Sequence, residues 1–189
     1  MSILSKLGSA TVLAAVLAAS VLAAPAFATT LPDAAKEAIL RALDDEYHAE
    51  AVYAATIAKF GEVRPFANII KAEQKHQSAL LDLMKTYGIA APENAYLTGE
   101  KPLIALPDTL QEVCAIGITA EFENTSLYED ELLPAVTDYP DITRVFHALS
   151  DASTNNHLPA FERCANGGGG GMGKGQGQGM GKGHGQNKG

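Results

Sequence analysis

Residues 66–87 read FANIIKAEQKHQSALLDLMKTY. Phe66, Ile69, Leu80, Leu83 and Tyr87 recur on one seam at alternating steps of three and four, and Glu73 and His76 fill the two seam positions between them. That spacing turns all seven side chains toward a helical partner. A carboxylate and an imidazole therefore stand where the pattern calls for Leu or Ile. Burying either without a partner costs several kcal/mol, against a gain of roughly 1.5–3 kcal/mol for a buried Leu. Something must compensate the pair, and a metal ion is the leading candidate.

Three more helical segments flank this one. The first is expected from about Pro32 to Phe60, with the seam Ile39, Leu43, Glu46, Glu50, Tyr53, Ile57 and Phe60. The 66–87 helix itself is expected from about Pro65, with Gly88 as its stop. A loop of about twenty residues follows, Gly88 to Pro107, carrying Pro92, Gly99 and Pro102. The third helix is expected from about Asp108 to Leu133, with the seam Leu110, Cys114, Gly117, Glu121, Asn124 and Tyr128. The fourth is expected from Pro140-Asp141 to about Cys164, kinked near Asn155 because Pro159 cannot supply an amide N–H. No period-two run of strand formers is evident. A short, a long and a short connection predict an all-α four-helix bundle with one crossover between helices two and three. The long loop has a task there: it returns the chain along a helix of roughly 35 Å, at about 1.5 Å per residue.

The termini read differently. Lys6, an apolar run from Ala10 to Ala24 and the small-x-small motif Ala26-Phe27-Ala28 predict a signal peptide over residues 1–28. Residues 166–189 are Gly with scattered Lys, Gln, Met and His, a composition that buries no core and predicts a disordered tail. The bundle would occupy residues 29–165. It carries 22 acidic residues against ten basic ones, a net charge of −12. That excess disfavours nucleic acid and acidic membrane surfaces as partners and suits an exported protein with a cation as ligand. No stable membrane insertion is expected once the signal is cleaved. A homo-oligomer or an envelope partner stays open.

Glu46, Glu73 with His76, and Glu121 each fall near the middle of a helix, so a bundle places them in one layer. Helices one and three also echo one another. Glu46-Tyr47 with Tyr53 matches Glu121-Phe122 with Tyr128, the Tyr following the Glu by seven residues, two turns along the same face. Carboxylate and imidazole together suit iron or manganese. Buried pairing with a base is the alternative, but Lys36, Arg41, Lys59, Lys71, Lys75, Lys85 and Arg144 mostly fall off the seams. A hydrated core with raised carboxylate pKa values is another.

With these residues the chain resembles the ferritin-like, rubrerythrin-like superfamily. Its ending Asn155-Asn156-His157-Leu158-Pro159-Ala160-Phe161-Glu162-Arg163-Cys164 is similar to that of an exported, uncharacterised ferritin-like family, domain of unknown function 2202. The resemblance spans about Leu31 to Ala165. It implies a carboxylate site for one or two ions of iron or manganese, with Glu46, Glu73, His76 and Glu121 at ligand positions. Helix four departs from the pattern. The residue three before His157 is Thr154, and the residue three before Asn156 is Ser153, so neither frame completes a second Glu-x-x-His. Phe146, Leu149 and Ala152 favour the Asn156 frame, Ala160 and Phe161 the His157 frame. His157 is thus a fifth candidate ligand with its frame unsettled. Tyr53 and Tyr128 are candidates to hydrogen-bond ligand carboxylates; Glu50 is open as an added ligand, with a solvated side chain the favoured alternative, and His48 and His147 are read as face residues away from the site.

Cys114 precedes Glu121 by seven residues and Cys164 follows His157 by seven. In antiparallel helices with Glu121 and His157 level, the two sulfurs reach one height. A disulfide is expected in an oxidising exported compartment. Two functions follow for the whole chain. One is an exported periplasmic or extracellular metal-binding protein with oxidoreductase or iron-oxidising chemistry. The other is a non-catalytic binding or structural bundle with an incomplete metal site.

Overall fold

A computed structural model describes residues 30–168. The expected signal peptide, and all but the first three residues of the expected tail, lie outside the described residues. Helix α1, Asp33–Phe60, follows Pro32, whose fixed φ suits a helix start, and ends where Gly61 takes a positive φ of 82°. Helix α2, Phe66–Thr86, is followed by Gly88 at φ 66°. Helix α3, Leu110–Ser126, opens with a capping box: the Glu112 amide donates to the Thr109 hydroxyl oxygen, and the Glu112 carboxylate accepts from the Thr109 amide. Helix α4, Pro140–Ala152, and helix α5, Leu158–Ala165, together form the fourth rod. The described residues contain no strand, and the fold is an all-α four-helix bundle.

Helix three is not the unbroken α-helix expected, and helix four departs from the simple kink expected near Asn155. Helix three passes at Leu127–Leu132 into a π turn and then into a 3₁₀ turn at Leu133–Val136. The fourth rod widens into a π turn at Ser153–His157 in place of a simple kink. In each turn a leucine amide reaches five residues back, Leu133 to the Tyr128 carbonyl and Leu158 to the Ser153 carbonyl. Each leucine is followed by proline, in the repeated Leu-Pro-Ala of 133–135 and 158–160. A proline offers no N–H to the carbonyl four residues before it, so the helix has no ordinary α pattern to keep at that point.

Two apolar clusters fill the bundle. One gathers Ile39, Leu43, Leu80, Met84, Tyr128, Val136, Ile142 and Phe146; the other gathers Tyr53, Phe66, Val113, Phe161 and the two cysteines. Following the chain, each helix passes from one cluster to the other, and the change of cluster falls near Glu46, Glu73, Glu121 and His157. α1 and the fourth rod therefore run in one sense and α2 and α3 in the other, with a polar layer between two apolar ends. The long crossover is held along α1. Tyr96 Oη donates to Asp44 (3.1 Å), Asn94 Nδ2 to the Tyr47 carbonyl (3.2 Å), and Lys59 Nζ to the Pro107 carbonyl (2.8 Å). It spans the bundle's length, the task that its own length implies.

Cys114 and Cys164 form a disulfide, with Cα atoms 5.8 Å apart and a sequence separation of 50. It ties α3 to α5 inside the second cluster.

Candidate metal centre

Glu46, Glu73, Glu121 and His157 are buried, each 3–4% exposed, and His76 is partly buried. They converge. His76 Nδ1 lies 3.2 Å from Glu46 Oε2 and 2.9 Å from Glu73 Oε2. On the other side, His157 Nδ1 lies 3.3 Å from Glu73 Oε1 and 3.5 Å from Glu121 Oε1. The donors therefore make two groups of three, Glu46–Glu73–His76 and Glu73–Glu121–His157, with Glu73 common to both. One Glu73 oxygen faces each group. The two imidazole rings stack with centroids 5.8 Å apart.

The tyrosines complete a near-twofold pattern. Tyr53 Oη donates to Glu121 Oε1 (3.0 Å) and Tyr128 Oη donates to Glu46 Oε1 (3.2 Å). Each Tyr serves the carboxylate of the other helix. The reason is directional: α1 and α3 run in opposite senses, so a ring two turns beyond its own Glu leans back across the gap. Burial, then the neighbouring carboxylates, pushes both phenols well above their ordinary pKa, so they stay protonated donors. The sequence signals the Glu–Tyr repeat but not this exchange of partners.

The site's electrostatics show strain that a cation would relieve. Burial, aided by the Glu46 charge, raises the Glu73 pKa well above the usual carboxylate range. Burial alone would lower that of His76, but its hydrogen bonds and charge interactions with Glu46 and Glu73 lift it to about 10. No Lys or Arg pairs with Glu46, Glu73 or Glu121 among the described residues; the basic side chains beside them are the imidazoles of His76 and His157. Most telling is His157 Nδ1, a buried nitrogen without a hydrogen-bond partner, set against two carboxylate oxygens. Donor atoms held about 2.1 Å from a first-row ion at right angles lie about 3 Å apart. The 2.9–3.5 Å separations match that spacing.

The two frames of the fourth rod are reconciled by its π turn. Leu149, Ser153 and His157 are buried while Asn156 is exposed, so the inward steps are 4 and 4 where a heptad would give 4 and 3. The wide turn absorbs the extra residue. Thr154 is exposed and its hydroxyl meets that of Thr125 (3.2 Å); no second carboxylate enters from this helix. Ser153 faces inward instead, donating to Asn124 Oδ1 (2.7 Å), and Asn124 Nδ2 donates to Asp45 Oδ2 (2.6 Å). Asp45 lies beside the two donor groups without belonging to either, and helical spacing does not single it out in the acidic run Asp44-Asp45-Glu46. Burial raises its pKa to about 6, with Glu46 and Glu121 adding to the rise and the Asn124 hydrogen bond opposing it.

Glu50, His48 and His147 fall outside the two donor groups. Glu50 accepts from Gln74 (2.9 Å), Gln77 (3.0 Å) and Asn94 (3.2 Å). His48 packs on Tyr96, and His147 is exposed.

A sequence model described as an uncharacterized protein domain, DUF2202, matches residues 35–173. The chain belongs to this family. No match was found among curated proteins or among solved structures. The DUF2202 match covers all four helices and both donor groups. Among the described residues, no helix is long and apolar enough to cross a membrane.

Proposed function

We propose that this DUF2202 protein is an exported metal-binding protein of ferritin-like type, holding two ions of iron or manganese between its helices. Glu46 and His76 would serve one ion and Glu121 and His157 the other, with Glu73 shared. The observation that carries this reading is the unpartnered, buried Nδ1 of His157 facing two carboxylates, in a layer whose carboxylates pair with no Lys or Arg among the described residues. Five protein donors for two ions leave coordination positions for water and a reactant. Iron or manganese bound there supplies one-electron redox chemistry toward dioxygen or peroxide. The chain's own residues do the rest. Tyr53 and Tyr128 fix the carboxylates by donating to them, and apolar clusters bound the layer above and below along the bundle. The disulfide is compatible with export.

The test is metal content. Mature protein purified without a His tag, then loaded with iron and desalted, is expected to hold about two ions per chain. Glu73→Ala should hold none, and Glu37→Ala, on the exposed face of α1, should match the parent. Absence of metal at every loading would overturn the reading. The absence of a fourth-helix carboxylate, with Thr154 turned to solvent, favours a second reading, a non-catalytic binding bundle with an incomplete site. That same metal-free outcome would support it.

A further inference from the structure

A pocket of about 550 Å³ lies between α1 and α3. The buried carboxylates Glu46, Glu73 and Glu121 line its inner end. Neither His76 nor His157 lines it, so the pocket meets the donor layer on its carboxylate side. Val52, Val113 and Ile116 give it apolar walls, and Tyr53 and Phe66 add flat aromatic surface. Its outer end is unusual for a surface. Three large apolar side chains stand out as exposed among the described residues, and two of them, Ile104 (48%) and Phe122 (56%), line this pocket. An apolar mouth, apolar walls and a few convergent polar groups at the end are the features of a small-molecule site of ordinary size.

The charge of the lining selects among ligands. Asp45, Glu123 and Glu131 join the three inner carboxylates, and Arg41 is the one Lys or Arg that lines the pocket. An anionic ligand meets like charge at both ends. An uncharged hydroxyl finds acceptors at the inner end, and an aromatic body suits Tyr53 and Phe66. We propose that the pocket binds a small, uncharged, mostly apolar molecule of the phenol class, with its hydroxyl directed at the carboxylates. That this molecule is the substrate of the metal centre rests on the function proposed above; that it binds does not.

The probe is 2-naphthol, followed by its own fluorescence, which the chain leaves clear because it has no tryptophan. The mature full-length protein as purified is expected to bind it saturably, with a dissociation constant on the order of 0.1 mM. The permanently anionic 2-naphthalenesulfonate should bind at least about tenfold more weakly. Ala120 lines the pocket from an exposed position on α3, so Ala120→Phe should narrow it without disturbing the core, and Ser126→Phe should do the same from the exposed end of that helix. Each is expected to weaken naphthol binding at least about tenfold, with metal content and melting temperature held at parental values. Unsaturable naphthol binding would overturn the proposal. So would equal affinity for the sulfonate, or parental affinity in both Phe variants. Metal measured on the same samples separates the two ideas: naphthol bound by protein that never holds metal sinks the metal reading alone, and metal without naphthol sinks the pocket alone.

Discussion

At the scale of single residues, Glu73 is the pivot, because its two oxygens face different donor groups. The others serve one group each. Glu46→Ala and Glu121→Ala are therefore expected to halve the iron per chain, while Glu73→Ala abolishes it, as read by elemental analysis of desalted protein. Equal losses in all three would show that the groups do not act as two sites. The pKa shifts set a pH dependence. The values of Glu73 and His76 both run upward, that of His76 from 6.5 to about 10. A raised folded-state pKa contributes stability in full below the unfolded value and loses it as pH rises through the folded value. Metal-free protein is thus expected to melt at progressively lower temperature from pH 7 to 10. Metal must displace these protons, so binding should release them and weaken as pH falls. Calorimetry in buffers of different ionisation enthalpy reads the release directly, and a buffer-independent heat would contradict it. Glu46, Glu73, His76 and Glu121 were legible from spacing, because polar residues on an apolar seam violate the pattern. Asp45 was not, because only Asn124 on another helix distinguishes it from a solvated acid.

At the scale of elements, the fourth rod decides whether a fifth donor exists. Heptad spacing left Asn156 and His157 in competition, and the π turn at Ser153–His157 turns His157 inward and leaves Asn156 exposed. His157→Ala is expected to cost one ion per chain and Asn156→Ala none. The reverse result would mean that the rod keeps an ordinary α frame. The sequence carried a signal for both π turns in the repeated Leu-Pro-Ala. Proline's missing amide says where an α-helix is disturbed, but not whether the chain kinks or widens. The capping box at Thr109 and the stops at Gly61 and Gly88 are local chemistry, and the element boundaries follow them closely.

At the scale of the molecule, one covalent link joins α3 to α5 beyond the polar layer. Closing a loop of 50 residues stabilises by about 4 kcal/mol on the chain-entropy model. The paired replacement Cys114→Ala with Cys164→Ala is expected to lower the melting temperature by on the order of 10 °C. Metal content should hold at temperatures well below that midpoint, because the disulfide lies apart from the donors. Calorimetry with elemental analysis checks both, and an unchanged melting temperature would remove the disulfide from the account of stability. The bundle accepts a charged layer in mid-core because apolar clusters on both sides carry the burial that the layer forgoes.

The sequence by itself determined the all-helical class, the helix order with its single long crossover, the level of the polar layer and the pairing of the cysteines. Each depends on periodicity, on loop length or on counting turns, and these are properties of the chain alone. Tertiary structure decided what depends on direction across the bundle. It set which carboxylate each tyrosine serves, that Glu73 spans both donor groups, that His157 and not Asn156 turns inward, and that a pocket opens between α1 and α3. Spacing along a helix fixes a face and a height. The partner met there is fixed by the sense and separation of the neighbouring helix, and no single helix encodes that.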